Sequence, residues 1–308
     1  SHYGQLNIDP AAYKLRLTGL VSKPVELTLE QLKRRPRTEI IAGFECGGSS
    51  NANFNRLCGN ARWAGTSLRA LLREAGPQPH GREVVFFGAD KRVESVTHGR
   101  GANEVEQHFG RSMDIDDAMQ PDVLICWEMN GAPLNAAHGA PVRLIVPGWY
   151  GVSNVKWLDH IHIQDTRYMG RFMSRDYVTL VGQQIGGETI WNETSVARMR
   201  IKSVVGRMTR RGTRLTAYGF VLNDGTPLRS VEVRVDNGPW QAAKLDSQNT
   251  KFSWKLFTAE FNNLPPGEHT IVSRAADENG VAQPEEKDLA DKKTMWENNG
   301  QFVRKFSL

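Results

Sequence analysis

Apolar and polar residues follow two different rhythms along the chain. In the first half, Tyr13-Lys14-Leu15-Arg16-Leu17 alternates with the period of a half-buried strand. Thr28 and Gln31 have capping-box spacing, which opens a short helix that ends in Lys33-Arg34-Arg35 before Pro36. Residues 38–44 read as a buried strand. Thr66 is placed to cap a helix in which Leu68, Leu71, Leu72 and Ala75 share one face, with Gly76 as its stop. Further strands are expected at 83–87, 122–127, 142–146 and 159–163. Between them lie irregular stretches rich in Gly, Asn, Ser and Arg, and loops on a strand framework are where sites usually sit.

After about residue 190 the helical spacing disappears. Residues 215–222, 231–235, 252–256 and 269–275 read as strands. Val231, Val233 and Val235 alternate with Glu232 and Arg234, giving one apolar and one wet face. Asn237-Gly238 and Asp224-Gly225 are strong turn signals. Short strands with no helix between them predict an antiparallel β-sandwich. The charged stretch 283–291 reads as a loop. The expected fold class is therefore α+β: a mixed domain over residues 1–190, then an all-β sandwich over 191–308.

The 308 residues suffice for two ordinary domains, and the composition, 39% hydrophobic and 24% charged, is that of a globular protein. The apolar runs, such as Val123-Leu124-Ile125-Cys126-Trp127, fall short of the roughly 20 residues of a membrane span. The chain opens on Ser1 rather than Met and without a signal-type segment, which reads as a mature or trimmed chain. Its 39 basic and 34 acidic residues leave a net charge of +5. That excess favours anionic ligands or acidic partners, and a solvated surface accounts for it equally well. No nucleic-acid-binding signature accompanies it. Cys46, Cys58 and Cys126 form no C-x-x-C pair, which argues against a disulfide framework or a closed zinc site.

Two stretches carry candidate chemistry. In Glu45-Cys46-Gly47-Gly48-Ser49, a strand runs into a turn with a thiol at its head. A thiolate is a soft ligand for a redox metal, and glycines let backbone approach a ligand. A lone cysteine is also commonly a small buried hydrophobe. Farther on, His138, Arg143 and Lys156 leave strand ends and Gly/Pro turns, an arrangement suited to gripping a phosphate or a polar heterocycle. Surface charge beside buried strands is the alternative.

Several segments occur in a characteristic order: Glu45-Cys46-Gly47-Gly48, Ala61-Arg62-Trp63-Ala64-Gly65, Glu128-Met129-Asn130-Gly131 with Pro133-Leu134, His138-Gly139 with Pro141-Val142-Arg143, and Val155-Lys156-Trp157-Leu158. Together they resemble the molybdopterin domain of the sulfite oxidase family. Arg175-Asp176-Tyr177 falls where that family carries its active-site tyrosine. Val233-x-Val235-Asp236, Ala275-x-Asp277 and Trp296-x-x-x-Gly300 resemble its immunoglobulin-like dimerisation domain. The resemblance covers nearly the whole chain. It implies a molybdenum–molybdopterin cofactor, with Cys46 as the thiolate ligand of the metal and His138, Arg143 and Lys156 holding the pterin and its phosphate. It implies that His2 and Asp90 are further cofactor contacts and that Tyr177 is the hydroxyl aimed at the reacting ligands of the metal. The implied reaction is oxygen-atom transfer, with the cofactor supplying the chemistry and the protein supplying position and electrostatics.

The pattern is broken at the substrate. Where sulfite-oxidising members carry arginines, this chain has Asn51 and Asn299. Each lost charged contact is worth about 1.5–3 kcal/mol. Arg56 and Arg62 are candidate substitutes, so Asn51, Arg56, Arg62 and Asn299 are the expected substrate-pocket residues. Sulfite or a less charged sulfur compound is the expected substrate. The same cofactor running in reverse on S-oxides or N-oxides, and a non-catalytic binding protein, are the alternatives. No haem-attachment motif is present, so an external acceptor such as a cytochrome c is expected. The resemblance also implies a two-fold homodimer through the second domain and a periplasmic address.

Overall fold

The computed structural model describes residues 1–49, 57–289 and 293–308. It is 51% strand and 10% helix. Helices are thus accessories to a set of sheets, and strand content exceeds what the mixed pattern of the first half led us to expect. Contacts divide the chain into two compact units. One comprises Ser1–Ile40, Arg62–Val146 and Val152–Val178; the other comprises Ile41–Ala61, Pro147–Gly151 and Thr179–Leu308. The segment that carries Cys46 therefore belongs to the second unit.

The first unit is built on a five-stranded mixed sheet in the order Val25–Thr28, Lys14–Gly19, Leu158–Gln164, Glu83–His98, Gly101–Asp114. Lys14–Gly19 and Leu158–Gln164 run parallel; the other pairs are antiparallel. Val84, Val85 and Phe86 are all fully buried, so this stretch is covered on both faces. The capping box closes as read, with Gln31 N–H on Thr28 Oγ1 at 3.3 Å and Thr28 N–H on Gln31 Oε1 at 2.8 Å. The helix Leu68–Ala75 buries the predicted Leu68, Leu71, Leu72 and Ala75, and Gly76 ends it in the left-handed region. Ser67, not Thr66, occupies its N-cap.

The largest departure lies between residues 87 and 114. The expected strand at 83–87 and the loop after it are one long hairpin, Glu83–His98 paired with Gly101–Asp114. Its outer half carries Lys91, Arg92, Glu94, Glu104 and Glu106, so no apolar face announces it. His98 ends the first strand at the tip and His108 lies within the second, not in a loop.

The second unit holds two four-stranded antiparallel sheets. One orders Lys202–Arg211, Arg214–Leu222, Lys255–Asn262 and Lys244–Leu245; the other orders Gln241–Ala242, Leu228–Val235, Glu268–Asp277 and Arg304–Ser307. Val205, Leu215 and Phe257 of the first sheet and Val231, Val233 and Ile271 of the second share one core. The strand expected at 252–256 begins instead at Lys255, because Phe257, Ala259 and Phe261 supply the buried alternation.

Candidate cofactor site

In the first unit, strand ends bring His138, Arg143, Lys156 and Asp90 into one neighbourhood. Arg143 starts the strand Arg143–Ile145 and is buried. Its Nη1 donates to the His138 carbonyl at 3.1 Å and its Nη2 to the Asn154 carbonyl at 3.0 Å. The guanidinium stacks on Trp63 at 4.9 Å, while Nε is buried with no partner among the described residues. Burial lowers its pKa to about 10, still fully charged at neutral pH. Arg143 thus pins two loops and contributes a buried positive charge.

His138 ends a short 3-10 turn, Ala136–His138, capped by Asn135. The Asn135 side-chain oxygen accepts from both the His138 N–H, at 2.9 Å, and the ring Nδ1, at 2.8 Å. An oxygen already accepting one N–H calls for a second donor, so Nδ1 carries the proton and Nε2 is left as an acceptor. Burial, then Arg143 and Lys156, hold the ring pKa below its usual value and keep it neutral. Gly139 takes φ +95°, and a side chain there would press on Lys156 Cβ at 2.7 Å, so the turn can close only on glycine.

Lys156 Nζ donates to the Ala137 carbonyl at 2.9 Å and lies 4.6 Å from the Trp157 ring centroid. Burial and the charge of Arg143 lower its pKa. Trp157 is fully buried, adopts φ +49°, and its ring N–H has no partner among the described residues. Backbone strain of this kind persists only where the surroundings enforce it, and it concentrates at functional sites.

Asp90 sits on the Glu83–His98 strand where the register with Gly101–Asp114 shifts between Phe87 and Lys91. Such an irregularity re-aims a side chain out of strict alternation. Ala89 N–H donates to the Trp157 carbonyl at 2.8 Å, and His108 Nδ1 donates to the Gly88 carbonyl at 3.0 Å, which fixes the bend. A side chain on Gly88 would collide with the Asp90 carboxylate and the Lys156 carbonyl. Asp90 is buried, and its Oδ1 has no partner among the described residues. Burial pushes its pKa up to about 6.

Tyr177 and His2 meet in the same unit. The tyrosine hydroxyl lies 2.9 Å from His2 Nε2, and the two rings meet edge-on at 5.4 Å. His2 also packs on Phe172 and Phe109, at 4.6 and 5.6 Å between ring centroids. Desolvation there lowers its pKa, so the ring is neutral, and as the Nε2–H tautomer it can donate to the phenol oxygen without engaging the phenol proton. Tyr177 has φ +60°. The helix Arg171–Ser174 leads into it, and the Arg171–Asp176 ion pair at 2.8 Å ties down the turn. Arg111, fully buried, donates to the Phe172 carbonyl.

The second unit carries Cys46. Its N–H donates to the Leu57 carbonyl at 2.8 Å, and its own carbonyl accepts from Ser49 N–H at 2.9 Å. The two glycines behind it have a packing reason. A side chain on Gly47 would meet Val196 at 2.8 Å, and one on Gly48 would meet Trp296 at 2.9 Å. Glu45 is buried and pairs with the buried Lys202 at 2.6 Å. Sequence reasoning singled out neither for a role, nor Asn135 or Asn154. Glu45, next to Cys46, and Asn135, three residues before His138, lie close enough along the chain to have been found.

Of the expected substrate-pocket residues, Asn51 and Arg56 lie outside the described residues. Arg62 is exposed and pairs with Glu39 at 3.4 Å. Asn299 is buried and donates to the Ile201 carbonyl at 3.1 Å. Burial raises the thiol pKa of Cys58 and of Cys126 to about 11, which leaves both unreactive near neutral pH.

The family model described as the oxidoreductase molybdopterin binding domain matches residues 2–172. The mitochondrial sulfite oxidase of Drosophila melanogaster is 30% identical over 90% of this chain and 52% of its own length. That of Homo sapiens is 29% identical over 92% of this chain and 56% of its own length. The chain thus spans about half the length of these curated relatives. Among solved structures, the sulfane dehydrogenase SoxCD from Paracoccus pantotrophus superposes with a TM-score of 0.82 at 27% identity, covering 99% of this chain and 78% of that one. With more than half of its residues inside the family model, and with His138, Arg143 and Lys156 clustered in that stretch, the chain belongs to the molybdopterin-binding oxidoreductases of the sulfite oxidase family.

Proposed function

We propose that the chain is an oxygen-atom-transfer enzyme acting on a small sulfur compound, with His2, Asp90, His138, Arg143 and Lys156 as cofactor contacts, Tyr177 as the catalytic hydroxyl and Cys46 as the metal ligand. The carrying observation is the donor set of the first unit. Lys156 and Arg143 supply the positive charge a phosphate requires, while His138 Nε2 and the unpartnered Asp90 Oδ1 supply acceptors for a pterin N–H edge. Burying a carboxylate oxygen without a partner costs free energy, and a ligand donor at that point removes the cost. The residues therefore fit a pterin phosphate. The thiolate of Cys46 suits a soft, redox-active metal.

The bound group supplies the two-electron redox chemistry. The protein's part is position and charge. Arg143 holds the 138 and 154 loops at fixed separation from its own backbone. Lys156 offers its ammonium to a phosphate. Tyr177, held by His2, would offer its hydroxyl to a substrate oxygen as a hydrogen-bond donor, not as a nucleophile.

A sulfur compound less charged than sulfite is the favoured substrate. The solved relative is a sulfane dehydrogenase, and Asn51 and Asn299 stand where arginines would bind a dianion. Asn299 also directs its amide to the Ile201 carbonyl. Arg62, paired with Glu39, remains a candidate contact. The test is a steady-state panel of sulfite, thiosulfate and protein-bound sulfane sulfur with ferricyanide as acceptor. A sulfane compound should exceed sulfite in kcat/KM; sulfite as the better substrate would refute this preference. About one molybdenum per chain is expected by metal analysis, and none after cofactor-competent expression would favour a non-catalytic binder.

The same reading assigns residues 1–190 to the cofactor domain and 191–308 to an immunoglobulin-like dimerisation domain. Tyr218, Leu245 and Leu256 are exposed and line one surface cavity of the second unit, which supports a partner-facing patch there. Ultracentrifugation should give twice the chain mass. Electrons pass to an external cytochrome c-type acceptor in the periplasm, and reoxidation by cytochrome c should slow with rising salt.

A further inference from the structure

Glu45 precedes Cys46 directly, and its carboxylate is 2% exposed; the Lys202 ammonium, 2.6 Å away, is 0% exposed. The pair is the centre of a cluster. Ser49 donates its hydroxyl to Glu45, and Lys202 Nζ donates to the Asn298 carbonyl at 2.7 Å. Glu297 N–H donates to the Gly47 carbonyl at 2.7 Å, and Arg200 pairs with Glu297 at 3.0 Å. The loop 45–49 is thereby tied to the start of the Lys202–Arg211 strand and to residues 297–298.

Two charges buried away from solvent are an inefficient source of stability, because desolvation cancels most of their attraction and an apolar pair of similar volume would serve as well. What an ion pair adds is one geometry and zero net charge. Both properties matter beside a metal ligand, whose neighbours orient it and tune its electronics.

We propose that the Glu45–Lys202 pair is a positioning device for the Cys46 thiolate, fixing the loop that presents the sulfur and keeping its surroundings electrically neutral. The inference rests on the reading of Cys46 as the metal ligand. Removing one partner strands a charge one residue from the sulfur. K202M leaves an anion that opposes reduction of the metal; E45Q leaves a cation that favours it. A neutral pair of amides, E45Q/K202Q, retains hydrogen bonding and cancels the charge.

The experiment expresses wild type, both single variants and the double variant with cofactor supply. It measures molybdenum content, the Mo(V) electron paramagnetic resonance signal, the midpoint potential, and hydrogen exchange of the peptide spanning residues 45–49. Both single variants should exchange faster in that peptide and lose metal about 10- to 100-fold faster than wild type. Their midpoint potentials should move in opposite directions, down for K202M and up for E45Q, and the double variant should return toward wild type. If the single variants fail to fold, the double variant's potential and signal decide: wild-type-like values support the device, and values displaced from wild type overturn it. Unchanged exchange, or faster exchange with an unchanged potential and signal, would reduce the pair to a structural contact and overturn the proposal. A wild-type protein without molybdenum would instead refute the ligand role of Cys46, and the device with it.

Discussion

Around Arg143, Lys156 and Asp90, in the first unit, buried charge is left partly unanswered: Asp90 Oδ1 and Arg143 Nε face no protein partner among the described residues. Around Glu45 and Lys202, in the second, opposite charges meet at 2.6 Å and each has further partners. Both regions hold polar groups that a core ordinarily excludes. The first is arranged to be completed by something else, whereas the second is arranged to hold something still. A carboxylate whose pKa is raised to about 6 by desolvation is the sign of the first kind. A neighbouring cation within hydrogen-bond reach is the sign of the second.

The sharpest break of this comparison is at the sulfur. Cys46→Ser should abolish molybdenum retention and reduce turnover to background while circular dichroism stays unchanged; retained metal would remove the reason to treat the 45–49 loop as a holder. Next in size is Tyr177→Phe. Loss of one preorganised donor should lower kcat by about 10²–10³-fold with the metal content intact, and a pre-steady-state measurement of the reductive step checks it. Lys156→Met should weaken cofactor retention about 10- to 100-fold, read by molybdenum loss on gel filtration, and should leave the apoprotein as stable as before.

The pH dependence of stability divides the two regions most cleanly. Asp90 has its pKa raised from 3.8 to about 6, so the folded apoprotein holds that proton more tightly than the unfolded chain does. Apoprotein stability should therefore fall as pH rises from about 4 to about 6. Asp90→Asn should remove that fall, giving a gain of order 1–3 kcal/mol at pH 7 and none below pH 4. Glu45→Gln should do the reverse and cost about 3–5 kcal/mol at neutral pH, because it leaves Lys202 buried without its counter-charge. Urea titrations of the two apoproteins would show opposite signs; equal signs would dissolve the distinction.

The local features of the fold were readable because their causes are local. The Thr28–Gln31 capping box, the Leu68–Ala75 helix with its Gly76 stop, and the alternation of Val231, Val233 and Val235 all fall within a few residues of chain. The long hairpin from Glu83 to Asp114 was not readable beyond residue 87. Its outer half is largely exposed, Val93 and Val105 included, so strand pairing, not burial, makes it a strand. The resemblance drawn from the ordered motifs named the family, and the site residues came from it rather than from periodicity.

By itself the sequence determined which residue types are available: one thiol in a glycine turn, a histidine, an arginine and a lysine near strand ends, and a tyrosine late in the first half. Short-range spacing suffices for that, because capping, alternation and turn chemistry are settled between neighbours. Only the tertiary structure decided which of these charges are answered and by what. Lys202 reaches Glu45 across 157 residues, and Asn154 and His138 converge on Arg143 from separate loops. Such pairings depend on strand register and chain crossing. They are fixed by the burial of whole sheets, and no local pattern encodes them.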